Sequence, residues 1–256
     1  HLANTPRQRL LLAALGLEAP AYGHLPLLVG DDGAPLSKRR GAQSVGALAR
    51  RGYLPGAVAN YLLRLGHAGA PDGWLEPADL PAHFALERVG RAPAHYDESQ
   101  LLHWQREAVK HLGEAALSAW LGAALPAALD AGQRDRLAAL LRHNLLFPAD
   151  AGPWAEVLFG GVPTPGPEAH GELERAGAAY FAAARAALES TGPDLAALAR
   201  ELRARTGRRG AELYLPLRAA LTGRCDGPEL GPLLAALPID TIRSRLAAAE
   251  QATGSN

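Results

Sequence analysis

Helical periodicity dominates this chain from residue 54 to its end. Apolar residues recur about every three or four positions there, which is the spacing of one face of an α-helix. Glycine or proline interrupts the pattern repeatedly, and both residues end helices. No series of alternating apolar and polar residues, the pattern of half-buried strands, occurs after residue 100. The sequence therefore predicts a mainly α-helical protein.

The breaks in this pattern set the predicted elements. Residues 168–189 are predicted as one long helix, because their apolar residues fall on one face. Asp97 with Gln100 three residues later predicts a capping box at a helix start, and the apolar run 24–29 predicts a short strand. The helix that Asp97 opens is predicted to end at Gly113. The other predicted helices cover residues 5–15, 55–65, 115–125, 133–146, 194–205, 213–221, 229–237 and 240–249. Aromatic residues at helical spacing are predicted to pack in the core: Trp104, Trp120, Trp154, Tyr180 and Phe181.

The charge of the chain is balanced overall and uneven locally. Lys and Arg number 26 and Asp and Glu number 26, so the net charge is zero. Residues 34–51 hold five cations and no acid, and residues 200–218 hold six arginines against two acids. Two basic patches on a neutral chain could contact phosphates. An unevenly charged, solvated surface would give the same counts, so both interpretations stay open.

Composition argues against several kinds of site. Cys225 is the only cysteine, so an intrachain disulfide framework and a thiolate metal cluster are excluded. The nine histidines show no spacing typical of metal ligands on one helix face. No apolar stretch approaches the ~18–20 residues that cross a bilayer, and no signal peptide pattern occurs. We expect a reduced, cytosolic, soluble protein without a metal site.

A basic loop carries the most informative chemistry. Ser37, Lys38, Arg39 and Arg40 follow a glycine-rich turn and show no periodicity. A loop of this kind can fold over a polyphosphate, and a lysine ammonium is a compact charge that suits phosphate oxygens in a transition state. Taken alone, the pattern is more typical of a solvated surface loop.

The residues around this loop resemble a known signature. Residues 34–45 read A-P-L-S-K-R-R-G-A-Q-S-V, which is similar to K-L-S-K-R-H-G-A-x-S-V, the glutamyl form of the K-M-S-K-S signature of class I aminoacyl-tRNA synthetases. The G-Y-L-P-x-A-x-x-N-Y-L-x-x-L-G block follows at 52–66. Further blocks match in order at residues 1–8, 96–104, 213–223 and 227–234. The chain thus resembles the C-terminal half of a bacterial-type glutamyl-tRNA synthetase.

The resemblance implies an ATP-dependent glutamate–tRNA ligase. Such enzymes activate L-glutamate with ATP and Mg and transfer it to tRNA(Glu). It implies that Lys38 is catalytic and that Leu36, Ser37, Lys38 and Arg39 bind ATP. Two positions depart from the signature: Pro35 stands where the signature has its first lysine, and Arg40 stands where it has a histidine. The H-I-G-H motif of the family is absent, so this chain alone is predicted to be inactive.

The resemblance also implies a fold and a tRNA-binding surface. The fold class is the end of a Rossmann-type catalytic domain, followed by a helical stem-contact region and α-helical-bundle anticodon-binding domains. The implied boundaries are 1–45, 46–100, 101–166 and 167–256. The family often has an anticodon-reading arginine where this chain has Asn144. The candidate tRNA-binding residues are Arg40, Arg50, Arg51, Arg64, Arg142, Asn144, Arg208, Arg209 and Arg218.

Other functions stay open at this point. The main prediction is the C-terminal portion of a monomeric glutamate–tRNA ligase. The first alternative is a truncated, non-catalytic tRNA-binding paralogue, and the second is a helical interaction protein without RNA binding. The retained Ser37-Lys38 pair favours the ligase, because a protein that only binds tRNA does not need an ATP loop.

Overall fold

The structure, a computed structural model, describes residues 2–30, 32–36 and 44–254. The chain divides into two compact units, His1–Ala108 and Val109–Asn256. Most of the described residues are helical, which confirms the predicted mainly α class. None of the described helices is long and apolar enough to span a membrane. The predicted four-part domain division stays a prediction.

The first unit combines short helices with a small parallel sheet. Its strands pair with Leu28 opposite Ala94 and Val29 opposite His95. The predicted strand over 24–29 was therefore too long, because only two of its residues find a partner. The helices are α1 (Thr5–Ala14), α2 (Val45–Arg51), α3 (Pro55–Arg64), α4 (Leu80–His83) and α5 (Glu98–His111); the strands are β1 (Leu28–Val29) and β2 (Ala94–His95); 3-10 turns cover Leu2–Asn4 and Leu86–Arg88.

Side-chain caps fix where two of these helices begin. At the start of α2, the Ser44 hydroxyl accepts a hydrogen bond from the backbone amide of Ala47. The periodicity did not predict this helix, because it is short and basic. At the start of α5, the Asp97 carboxylate accepts a hydrogen bond of 2.8 Å from the backbone amide of Ser99. The predicted capping box is only half formed, since the Asp97 amide donates instead to the Tyr61 hydroxyl at 2.8 Å.

Two buried amide side chains form hydrogen bonds between segments of the first unit. Asn60 is fully buried, and its Nδ2 donates to Gly56 O at 3.0 Å and Leu75 O at 2.8 Å. Gln105 is also fully buried, and its Oε1 accepts the amide of Leu54 at 2.9 Å. Both amide side chains thus bond to part-buried backbone groups, as buried polar side chains generally must in a low-dielectric interior.

The second unit is a helical assembly. The structure shows two helices where one was predicted over 168–189. Gly177 interrupts them with φ +74° and ψ 163°, a conformation that a helix excludes and that glycine tolerates. The helices are α6 (Glu114–Leu121), α7 (Ala131–Leu141), α8 (Gly152–Phe159), α9 (Pro167–Ala176), α10 (Ala178–Thr191), α11 (Leu195–Thr206), α12 (Ala211–Thr222), α13 (Leu230–Ala236) and α14 (Ile239–Gly254); 3-10 turns cover Gly122–Ala124 and Pro148–Ala151.

The core of the second unit is built on α10, which packs against α11 and α14. Tyr180 and Phe181 on α10 are buried, and so is Trp154 on α8, as predicted for aromatic residues at helical spacing. Trp104 of the first unit is buried as well, while Trp120 is half-buried. Apolar burial of this kind is the main stabilising contribution to the bundle.

Arg245 is the largest fully buried side chain. It lies on α14 and donates to Leu221 O at 2.6 Å, Gly161 O at 2.9 Å and Gly160 O at 3.2 Å. These carbonyls lie at the C-terminal ends of α12 and α8, where the helix dipole places partial negative charge. The buried cation is thus compensated by carbonyl groups, and burial lowers the pKa of its guanidinium.

Replacing this arginine tests that explanation. We expect Arg245→Met to lower the free energy of unfolding by about 3 kcal/mol, because several buried carbonyls lose their donor. Arg243→Met on the same helix removes exposed ion pairs with Glu189 and Asp240 and should lower the free energy of unfolding far less, because water screens exposed pairs. Urea denaturation followed by circular dichroism measures both values. Equal losses in the two variants would contradict the role given to Arg245.

Candidate nucleic-acid interface

The segments on both sides of the signature loop are held by hydrogen bonds. Leu36 donates its amide to Leu28 O at 3.0 Å, and Gly30 donates to Ala34 O at 3.0 Å, so residues 34–36 return along β1. On the far side, Ser44 caps α2. The predicted residues Ser37, Lys38, Arg39 and Arg40 lie outside the described residues, and their roles stay predictions. An ATP contact through the Leu36 amide would compete with its bond to Leu28.

An apolar cleft of about 340 Å³ lies beside these anchors. Pro35, Leu36 and Val45 line it together with Tyr61 and Tyr96. Burial raises the pKa of Tyr96 to about 12, so its hydroxyl stays neutral. Among the described residues the lining offers no cation, so these residues by themselves do not suit a phosphate group.

The predicted tRNA contacts at the end of α2 are exposed. Arg50 has no hydrogen bond or ion pair with any other residue that the structure describes. Arg51 donates to Glu98 Oε1 at 3.1 Å and lies over the Tyr53 ring at 5.3 Å. Arg50 is thus the more available of the two for a phosphate, and its contact with tRNA stays a prediction.

Arg64, another predicted tRNA contact, is engaged inside the first unit. Its guanidinium donates to Asn60 O at 2.8 Å, Pro71 O at 2.8 Å and Gly73 O at 2.6 Å. It also lies 3.9 Å from the centre of the Trp104 ring. These bonds occupy the groups that a phosphate would need, so they favour a structural role.

Three predicted arginines of the second unit bond to backbone carbonyls. Arg142 donates to Lys110 O at 3.3 Å and also to Leu112 O, at the end of α5. Arg208 donates to Ala176 O at 2.8 Å, where α9 ends, and Arg218 donates to Pro228 O at 2.7 Å. Burial lowers the pKa of Arg218. Arg209 is exposed, and it has no hydrogen bond or ion pair within the described part of the chain.

Asn144 is exposed and lines a polar pocket of about 430 Å³ in the second unit. The same pocket is lined by Trp154, Arg224, Asp226 and Gly227. Sequence reasoning missed Arg224 and Asp226. Opposite charges two residues apart in a turn that follows a helix were the signal for an ion pair, and the structure forms that pair at 2.8 Å.

Gly227 fixes one wall of this pocket. Its φ is +125°, and a Cβ atom built on it would lie 2.1 Å from Cη2 of Trp154. Only a residue without a side chain allows the loop to approach the indole this closely. The loop that carries Arg224 therefore packs closely against α8.

Metal ligation has little support in the described residues. Among them, no group of three or more His, Cys, Asp or Glu residues could hold a metal ion. The site residues are mainly arginines, which carry donors and no acceptors. Such side chains suit phosphates and base edges.

Two family models match the chain. The model of the catalytic domain of class I tRNA synthetases (E and Q) matches residues 1–102, and that of an anticodon-binding domain matches residues 115–250. These matches place the chain in the class I tRNA synthetases (E and Q), as part of their catalytic domain followed by an anticodon-binding domain. The chain belongs to the glutamyl branch of that family, which confirms the predicted resemblance.

Curated relatives agree with this assignment, and a solved structure shares the fold. Glutamate–tRNA ligase 2 of Alkalilimnicola ehrlichii is 48% identical over 98% of this chain and 53% of its own length. Glutamate–tRNA ligase 1 of Halorhodospira halophila is 45% identical over 96% of this chain and 51% of its own length. A glutamate tRNA ligase from Elizabethkingia meningosepticum, crystallised in complex with its amino acid, shares the fold with a TM-score of 0.81 at 19% identity, over 98% of this chain and 55% of that one. The chain thus spans about half the length of the relatives it matches.

The contrast between Arg64 and Arg50 can be measured directly. We expect Arg64→Ala to lower the free energy of unfolding by about 2–4 kcal/mol, because backbone carbonyls and the Trp104 ring lose their partner. Arg50→Ala should change it by less than about 0.5 kcal/mol, since the side chain is exposed. Thermal and denaturant melts of both variants check this. A destabilised Arg50→Ala, or an Arg64→Ala variant as stable as the parent, would refute the assignment.

Proposed function

We propose that this chain is the part of a glutamate–tRNA ligase that delivers a lysine to ATP and binds tRNA(Glu). The observation that carries the proposal is the 48% identity to a glutamate–tRNA ligase over nearly the whole chain, with the Ser37-Lys38 pair retained. The anticodon-domain match over residues 115–250 supports the tRNA-binding part. The proposed setting is the cytoplasm, and the proposed full-length enzyme is a monomer.

The reaction has two steps. In the first, a carboxylate oxygen of L-glutamate attacks the α-phosphorus of ATP and pyrophosphate leaves, with Mg as the metal of the nucleotide substrate. Negative charge grows on the departing phosphates, and the ammonium of Lys38 stabilises it. In the second step, a hydroxyl of the 3′-terminal adenosine of tRNA attacks the adenylate carbonyl and AMP leaves.

We propose that tRNA is bound by the arginines whose side chains are not already hydrogen-bonded within the protein. Arg50 and Arg209 are exposed, and neither bonds to another residue within the described ranges. Arg64, Arg142 and Arg208 are instead bonded to carbonyl groups. Phosphate contacts by free arginines position an RNA without reading its sequence.

Removing the loop lysine tests the catalytic part. In the full-length enzyme, Lys38→Ala should slow glutamate-dependent pyrophosphate exchange by about 10²–10³-fold, as expected for the loss of one charge that acts on the transition state. Affinity for tRNA(Glu) should stay within about twofold. The matched control is Lys110→Ala, which removes the only other lysine of the chain and should leave exchange unchanged.

Two results would reject this role. Unchanged exchange in Lys38→Ala would show that the lysine does not act on the phosphates. A parallel loss in Lys110→Ala would show that the effect belongs to net charge or folding. The 256-residue chain by itself is expected to give no exchange, because it contains no H-x-G-H segment.

Binding of tRNA by the chain alone tests the second part. We expect the logarithm of the association constant for tRNA(Glu) to fall linearly with the logarithm of salt concentration, with a slope of about −1 or steeper, because bound arginines release counterions from phosphates. An unrelated tRNA should bind at least about tenfold more weakly at equal salt. Filter binding over a salt series measures both. Equal affinity for the two tRNAs would contradict selective recognition.

A further inference from the structure

We propose that Gln105 is a positioning residue for the signature loop and that it acts through helix α2. The proposal rests on the proposed function, because it presumes that Lys38 of that loop acts on the phosphates of ATP. It goes beyond that function by giving a role to a side chain of α5, far outside the signature in sequence. The side chains that carry the argument all lie in the first unit.

Gln105 holds the connection between α2 and α3. Its side chain is fully buried, its Oε1 accepts a hydrogen bond of 2.9 Å from the Leu54 amide, and its Nε2 donates to Gly52 O at 3.3 Å. Residues 52–54 are the whole connection, so one planar amide bonds to its first and its last residue. The connection therefore cannot shift along α5 without losing at least one of these bonds.

Helix α2 depends on such tertiary contacts for its position. It has seven residues, which is fewer than the ~12–15 that an isolated helix needs to be even marginally stable in water. Leu48 is the residue of α2 that is buried, and Leu54, which precedes α3, gives that helix no side-chain cap. The amide of Gln105 thus supplies polar partners at the point where one helix ends and the next begins.

One face of α5 is turned towards α2. Glu98, Leu101 and Gln105 are spaced three and four residues apart, which places them on the same side of the helix. Glu98 accepts a hydrogen bond of 3.1 Å from Arg51, and Leu101 lines the apolar cleft together with Leu48. The ion pair is exposed, so it contributes little, and the buried amide is the polar contact that fixes α2.

The other end of α2 receives the chain from the signature loop. Ser44 caps this end, and its hydroxyl accepts a hydrogen bond of 3.2 Å from the Ala47 amide. A helix of seven residues is about 10 Å long and behaves as one rigid piece, so a fixed last turn also fixes its first residue. An error of ~1 Å in the placement of a catalytic group can cost about 100-fold in rate. Gln105 can therefore affect Lys38 without touching it.

The test uses the full-length enzyme with tRNA(Glu) at saturation, so that tRNA binding does not limit the rate. Gln105→Met removes both hydrogen bonds at nearly constant side-chain volume. We expect kcat for glutamate-dependent pyrophosphate exchange to fall about tenfold, because the loop lysine is delivered less accurately. The KM for L-glutamate should stay within about twofold.

Asn60→Leu is the matched control. Asn60 is also a fully buried amide of the first unit, and its side chain bonds to Gly56, Leu75 and Arg64, none of which belongs to α2. This variant should keep kcat within about twofold of the parent. Circular dichroism melts set an assay temperature at which every variant is folded.

A double variant separates positioning from stability. If Gln105 acts only through the loop lysine, adding Gln105→Met to Lys38→Ala should slow exchange by less than about twofold more. A smaller folded fraction would instead multiply the two losses, because it lowers every rate by the same factor. Should Gln105→Met not fold, Gln105→Glu keeps an oxygen for the Leu54 amide, and it should show the same non-additivity with a smaller single loss.

The outcomes distinguish this inference from the proposed function. If Gln105→Met exchanges at the parent rate while Lys38→Ala does not, the positioning role is wrong and the proposed function stands. If the losses multiply in the double variant, or Asn60→Leu loses as much as Gln105→Met, Gln105 serves stability alone and the inference is overturned. If Lys38→Ala keeps the parent rate, the proposed function fails and this inference fails with it.

Discussion

Bonds from arginine side chains to backbone carbonyls hold much of this structure together. Helix ends leave carbonyl groups unpaired, and the helix dipole makes these ends slightly negative. The chain has almost no lysine, so arginine supplies the cations that pair with them. Arg245 does so at the ends of α12 and α8, Arg142 at the end of α5 and Arg208 at the end of α9. Short helices joined by glycine and proline can pack closely because their ends are capped in this way.

This use of arginine changes how a basic patch should be interpreted. Six arginines between residues 200 and 218 indicated a phosphate-binding surface, yet Arg208 and Arg218 bond to carbonyls. A planar guanidinium has five donors and suits a carbonyl as well as a phosphate. Residue counts therefore overestimate the number of arginines available to RNA. The useful measure is the number of donors left unpaired after folding, and by that measure Arg50 and Arg209 are the predicted tRNA-binding arginines that stay available within the described residues.

Sequence periodicity predicted where most helices lie, but it did not predict which distant residues come into contact. The α3 and α5 helices follow the predicted apolar stripes, because burial of one face is a local pattern. The single helix predicted over 168–189 was wrong, since Gly177 takes a conformation that only the folded packing selects. The pocket of Asn144 and Arg224 joins residues 80 positions apart, and no local pattern brings such residues together. The family resemblance was recognisable because its motifs are contiguous in sequence.

The anchors of the signature loop narrow the place where ATP chemistry can occur. On the entry side, the amide of Leu36 is bonded to Leu28, and its side chain lines an apolar cleft. On the exit side, the Ser44 hydroxyl is bonded to the amide of Ala47. The Leu36 amide can reach a phosphate only by breaking its bond to Leu28, which opposes that use. Under the proposed function, we therefore expect the nucleotide contacts of this loop mainly from residues 37–43, and Lys38 is the one lysine among them. A compact lysine charge carried between these two anchors would suit the pyrophosphate that leaves in the proposed reaction.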